Sequence, residues 1–174
     1  MRVLLPLLIA MPGLVFAASD DAPPKPTHTT NSCKGVKVWD PTKQKCVKPK
    51  DASLDGDILY DAARELAYAG RYDDAQGVLQ AMADQKDDRV LTYWGFTHRK
   101  LGNLELANIF YEHAIKQNPD NILARSYMGQ GFVEEGRVDE AIAQWHEIRN
   151  RAGTGSWAEA SLREAIRSGT TYNY

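Results

Sequence analysis

Two cysteines, Cys33 and Cys46, are the side chains of this 174-residue chain able to form a covalent cross-link. Twelve residues separate them, a spacing that rules out a Cys-x-x-Cys redox pair. With His28 the one histidine nearby, they also fall short of the four ligands that zinc normally takes. Both stand downstream of an apolar leader, so an oxidising compartment and a disulfide are expected. Closing that loop constrains the unfolded chain by about 3 kcal/mol on the entropy model. Other chemistry is thin. The chain has no Gly-x-Ser-x-Gly, no His-Glu-x-x-His, no phosphate-binding loop and no Gly-x-Gly-x-x-Gly. Met128-Gly129-Gln130-Gly131 falls within a helical pattern with no strand before it, and His98, His113 and His146 also fall on helical faces. The carboxylate pairs Asp73-Asp74, Asp87-Asp88 and Glu134-Glu135 stand at turns and helix ends, where capping and solvation account for them. We therefore expect no enzyme, no cofactor and no metal.

The segments around the cysteines set the setting for that disulfide. Met1-Arg2, an almost wholly apolar stretch at 3–16 and the small residues Ala17 and Ala18 follow the order of a secretory signal peptide, residues 1–17, cleaved after Ala17 or Ala18. The apolar run falls short of the ~20 residues of a spanning helix, although an uncleaved anchor is the alternative. Residues 18–31, with Pro23, Pro24 and Pro26 among Ser, Thr and Asp, are expected to be a disordered linker. Residues 32–50 form a basic disulfide loop: Val36 and Val38 alternate with polar residues, Asp40-Pro41 signals a turn, and Lys45-Cys46-Val47 returns. Trp39 is either an exposed aromatic on a basic knob or a ring packed on its own staple. The formal net charge of −2 hides an asymmetry, with seven lysines against Asp40 alone between positions 25 and 50 and an acidic remainder. No nucleic-acid partner is indicated.

From Ser53 to Ser168 the pattern is helical. Gly70, Gly102 and Gly136 mark turns, and an alanine follows each five residues later, Ala75, Ala107 and Ala141, at intervals of 32 and 34 residues. Residues 91–119 carry the fullest set of landmarks: Gly95, Leu101-Gly102, Ala107, Tyr111, Ala114 and Pro119. Apolar residues three and four apart put Leu59, Ala62, Ala63 and Leu66 on one face of a first helix, with equivalents in two later units. This spacing resembles the tetratricopeptide repeat, a 34-residue helix-turn-helix unit, in an exported bacterial type with a short N-terminal two-cysteine loop. The fold class expected is all-α: a tetratricopeptide solenoid over 53–168 with repeats at about 56–87, 88–121 and 122–155, a C-terminal capping helix at 156–168 and a flexible tail at 169–174. In the tail, Tyr172 or Tyr174 either frays or folds back onto the groove. Ala63, Gly95 and Gly129 are expected to let each first helix approach its own second helix, and Tyr111 and Trp145 to supply core volume. The outer units depart from the family pattern, with Asp87 and Gly153 where proline closes a unit, and Arg125 in place of the early aromatic.

The resemblance implies a concave groove lined by the first helices and a peptide, extended tail or helix held in it. Carried over position by position, the lining is Asp57, Tyr60, Arg64 and Tyr68, then Thr92, Phe96, Arg99 and Lys100, then Leu123, Ser126, Tyr127, Gln130 and Glu134. Tyr60, Phe96 and Tyr127 would take apolar anchors, and Arg64, Arg99 and Lys100 a carboxylate. The Lys/Asn/Arg clamp of chaperone-tail binders is not reproduced. The expectation is a non-enzymatic scaffold or adaptor, periplasmic or secreted and not membrane-spanning once the signal is cleaved, that binds an envelope protein. The alternative is an envelope- or carbohydrate-binding module that acts through the Cys33–Cys46 loop and Trp39, with the repeats as support.

Overall fold

Three tight turns of one design organise the chain. Gly70, Gly102 and Gly136 have φ of +74°, +85° and +75°, a left-handed conformation that costs glycine nothing. Each closes the preceding helix with the paired bonds of a Schellman motif. At the first turn the Gly70 N–H donates to Ala67 O at 3.2 Å and the Arg71 N–H to Leu66 O at 2.9 Å, and the same pair recurs at Gly102–Asn103 and Gly136–Arg137.

The computed structural model describes residues 22–171. The expected leader, the start of the expected linker, Tyr172 and Tyr174 lie outside the described residues. In order the elements are α1 (His28–Ser32), β1 (Val38–Asp40), β2 (Lys45–Val47), α2 (Gly56–Tyr68), α3 (Tyr72–Leu79), α4 (Asp88–Lys100), α5 (Leu104–Gln117), α6 (Ile122–Glu134), α7 (Val138–Asn150) and α8 (Trp157–Ser168). The chain is mostly helical, with one two-stranded antiparallel sheet that pairs Val38 with Val47 and Asp40 with Lys45. Helices α2–α3, α4–α5 and α6–α7 pack as hairpins, successive hairpins pack on each other, and α8 lies on α6 and α7. This is a helical repeat. Among the described residues no helix is long and apolar enough to cross a membrane.

Side-chain caps start the helices that open a hairpin. Asp55 accepts from the Ile58 N–H, Asp87 from Arg89, Asn121 from Ala124, and Ser156 from Glu159 at the start of α8. The helices that follow the Schellman turns have no such cap. Helix α3 ends at Leu79, whose carbonyl accepts from the Gln85 amide at 2.9 Å, as the Met82 carbonyl does at 2.7 Å.

Close approach is real at Gly95 and takes another form at Gly129. A Cβ on Gly95 would lie 2.5 Å from Tyr111 Cε1, whereas on Gly129 it would meet Leu162 of α8 at 2.7 Å before Gln144 at 3.4 Å. Gly129 therefore admits the terminal helix rather than α7. Every residue from Leu123 to Val133 is buried, because α4, α5, α7 and α8 enclose α6. Tyr111 is fully buried as expected, but Trp145 is only partly so. With α8 in place of a further hairpin beside it, Trp145 lies at the edge and donates its indole N–H to Glu159 at 2.8 Å.

The stretch expected to be disordered is ordered from Ala22, and part of it is α1. Glu65 of α2 explains why. Its carboxylate accepts from Thr27 N (2.7 Å) and Oγ1 (2.6 Å) and from Thr30 N (2.9 Å) and Oγ1 (2.5 Å). The hairpin that follows is held by the Cys33–Cys46 disulfide, and Arg71 donates to Cys33 O and Gly35 O, both at 2.9 Å. Asp40, wholly buried, accepts from Thr42 N, Lys43 N and Ser53 Oγ at the turn. Those bonds, the Ser53 hydroxyl foremost, hold its carboxyl below the usual range. The disulfide module thus covers the first helix pair as α8 covers the last. Solenoid ends need such covers. Trp39 does not project freely; it is partly buried, directly opposite Cys46 in the hairpin register and with its ring 4.5 Å from that of His28 in α1.

Candidate functional site

The thirteen residues expected to line a groove lie on α2, α4 and α6, and the fold brings them together. Their exposure differs from expectation. Thr92, Phe96, Tyr127 and Gln130 are fully buried, Tyr60, Arg64, Tyr68, Arg99 and Leu123 are nearly so, and Lys100 is half-buried. The physical reason is that these side chains are large and face one another. Tyr68 stacks on Phe96 at 5.5 Å, Phe96 meets Tyr127 at 4.8 Å, and the Tyr68 and Tyr127 hydroxyls share a hydrogen bond. Each such ring pair contributes about 0.5–1.5 kcal/mol beyond its burial.

Two members of the cluster were missed as site residues. Tyr93 lies edge-on to Tyr60 at 5.7 Å and to Tyr127 at 6.2 Å, and Trp157 of α8 sits 6.3 Å from both Tyr68 and Tyr127. Tyr93 precedes Phe96 by three residues, so its helical face was readable. Trp157 was readable only as part of an apolar stripe; its reach to α2 depends on how the hairpins stack.

Polar positions divide into those used in packing and those at the rim. Thr92 Oγ1 donates to Asp88 O and accepts from Asn121, tying α4 to the start of α6. Gln130 reaches Ser126 Oγ at 3.3 Å, and Ser126 Oγ donates to Ala158 O at 2.8 Å, which seats α8. Asp57 stays exposed and pairs with Arg89 at 3.6 Å. Arg99, its side chain wholly buried, pairs with Glu134 at 2.6 Å, and its guanidinium lies 5.7 Å from the Phe96 ring. Lys100 lies 5.9 Å from the same ring. Burial, followed by the neighbouring Arg99 charge, pushes the Lys100 amine down to about 8, with Glu134 opposing.

Both ends of the described chain meet this inner face. Arg64, whose Nε donates to Tyr93 Oη at 3.2 Å, uses Nη2 to hold the backbone carbonyl of Ala22 at 2.8 Å. At the other rim Thr171 Oγ1 donates to Glu134 at 2.5 Å. The rim of this face thus brings together the edges of buried aromatics, a guanidinium on a backbone carbonyl and a half-buried amine. No group of His, Cys, Asp and Glu able to hold a metal ion occurs among the described residues.

No family model matches the chain, and no solved structure matches it. It is similar to the Phagocyte signaling-impaired protein of Drosophila pseudoobscura pseudoobscura, with 36% identity over 98 residues that cover 53% of this chain and 10% of that protein. The chain thus spans about a tenth of the length of the curated relative that it matches.

Proposed function

We propose that this chain is a non-enzymatic tetratricopeptide scaffold, exported to the periplasm or secreted, that holds an extended segment of an envelope protein on the face shared by α2, α4 and α6. The observation that carries the reading is the bond from Arg64 Nη2 to the Ala22 carbonyl: this face holds a backbone carbonyl of a non-helical segment. A partner strand would use the same chemistry. Its carbonyls would accept from Arg64, its carboxylates would meet the rim cations Arg89 and Lys100, and its apolar side chains would rest on the ring edges of Tyr60 and Tyr68. Burial of the remaining aromatics keeps that surface rigid, which lowers the ordering cost of binding. The three turns, the 32- and 34-residue spacing of the helix pairs and the Gly95–Tyr111 contact support the tetratricopeptide assignment.

The test is site-specific photo-crosslinking in the native cell, with the probe placed in turn at Arg89, at Lys100 and at Glu112 on the outer side of α5. Crosslinks to an envelope protein from positions 89 and 100, and not from 112, are expected. Crosslinks from 112 alone, or none from 89 and 100, would overturn the reading. Proteolysis of whole and permeabilised cells tests the location, with protection lost once the outer membrane is opened.

A further inference from the structure

A second surface is built by the disulfide module itself. The chain entering β1 brings Lys34 and Lys37, and the chain leaving β2 brings Lys48 and Lys50, to the lining of one cleft of about 720 Å³ against α3. No carboxylate of the described residues lines it. The four lysines make no ion pair among the described residues, in contrast to Lys43 of the same module, which pairs with Asp51 at 2.5 Å. The floor is apolar: Val36, a large hydrophobic left 40% exposed, lies over Gly77 beside Ala81. The glycine lets the valine approach, since a Cβ at position 77 would sit 2.6 Å from Val36 Cγ1 and force it to shift. The disulfide and the two Arg71 bonds hold the wall in place. The cleft is therefore preformed, within the ~300–1,000 Å³ common for ligand sites.

Four ammonium groups around one concavity concentrate anions in it. Which anion follows from the donors and the floor. Lysine offers a point charge that does not itself choose between phosphate and carboxylate, but a phosphate or a sugar acid would leave Val36 and Ala81 uncovered. A chain with alternating acidic and apolar side chains uses both. Trp39, the residue expected to contact a sugar, does not line the cleft.

We propose that the cleft between the disulfide hairpin and α3 binds an extended acidic peptide segment of a partner protein, carboxylates at Lys34, Lys37, Lys48 and Lys50 and an apolar side chain on Val36. This inference does not rest on binding at the α2–α4–α6 face. It is tested by fluorescence anisotropy on the full chain with a labelled octapeptide of alternating glutamate and leucine. Competitor arms are oligoglutamate, inorganic phosphate and phosphatidylglycerol vesicles. Lys48→Glu with Lys50→Glu should weaken the octapeptide at least about tenfold, the loss of roughly one charge pair, and Val36→Asp should weaken it similarly. Lys86→Glu with Lys116→Glu, the same charge change on exposed positions elsewhere, should have little effect. All variants are checked for unchanged circular dichroism. Equal losses in the control pair, competition by phosphate or vesicles as strong as by the octapeptide, or lysine-dependent self-association in sedimentation would each overturn the proposal.

Discussion

Replacing Gly95 with alanine tests the packing that holds α4 on α5. The added methyl would lie 2.5, 2.6 and 2.9 Å from Cε1, Cδ1 and Cζ of Tyr111, where carbon atoms normally rest about 3.5–4.0 Å apart. Tyr111 is wholly buried, so its ring cannot swing into solvent and the helices must part instead. Overpacking of this kind costs ~1–3 kcal/mol, while alanine gains about 1 kcal/mol over glycine in a helix interior. We expect net destabilisation of about 1 kcal/mol, read as a lower urea midpoint at unchanged slope. Two companions sharpen the result. Gly56→Ala, at the first position of α2 with nothing within 4 Å of the new methyl, should be neutral or stabilising by up to about 1 kcal/mol. Tyr111→Leu should cost more by itself, yet Gly95→Ala added to it should be harmless or stabilising, a coupling of roughly 2 kcal/mol in the double-mutant cycle. If Gly95→Ala matched or exceeded wild-type stability, the close crossing would be refuted.

Two further predictions concern how the ends and the interior are held. Glu65→Ala removes the acceptor of four bonds from Thr27 and Thr30; hydrogen bonds to a charged group contribute about 1.5–3 kcal/mol each and do not add, so a loss of ~2–4 kcal/mol is expected. Hydrogen exchange should accelerate at the Thr30 amide and leave α6 protected, and unchanged exchange in α1 would contradict the role given to Glu65. His98 stacks 5.8 Å from Trp94 and 5.5 Å from Phe110, and burial lowers its pKa. Because the unfolded state protonates first, its contribution is complete above about pH 6.5 and is lost as pH falls through that value toward the folded pKa. His98→Phe should therefore flatten the fall in urea midpoint between pH 7.5 and 5, and an identical slope in both proteins would count against this environment.

Local patterns in the chain carried a good share of this structure. A glycine with positive φ and an alanine five residues on are short-range requirements of turn and crossing, so Gly70, Gly102 and Gly136 could be read one by one and the helix pairs placed between them. The disulfide was legible for the same reason, from two cysteines behind an apolar N-terminal stretch. Long-range pairing left no comparable mark. Thr27 and Thr30 look like linker residues until Glu65, more than thirty positions away, accepts from them. Trp39 reads as either exposed or packed on its own staple, and only the docking of α1 brings His28 against it.

The candidate site divides along that line. Helical periodicity was enough to put Phe96 and Arg99 on one side of α4, since side chains three and four residues apart share a side of a helix whatever surrounds it; that Tyr60 and Tyr127 join them across α2 and α6 came from the resemblance to the repeat. Whether that face is open or filled depends on how near α2, α4 and α6 approach, and on where α8 delivers Trp157. Those are distances between helices, set by the packing of all of them at once, and they turned an expected open lining into a largely closed aromatic cluster with a polar rim. The lysine cleft has the same origin. The charges of Lys34, Lys37, Lys48 and Lys50 are plain in the chain, but only the docking of the hairpin on Gly77 gathers them around one apolar floor.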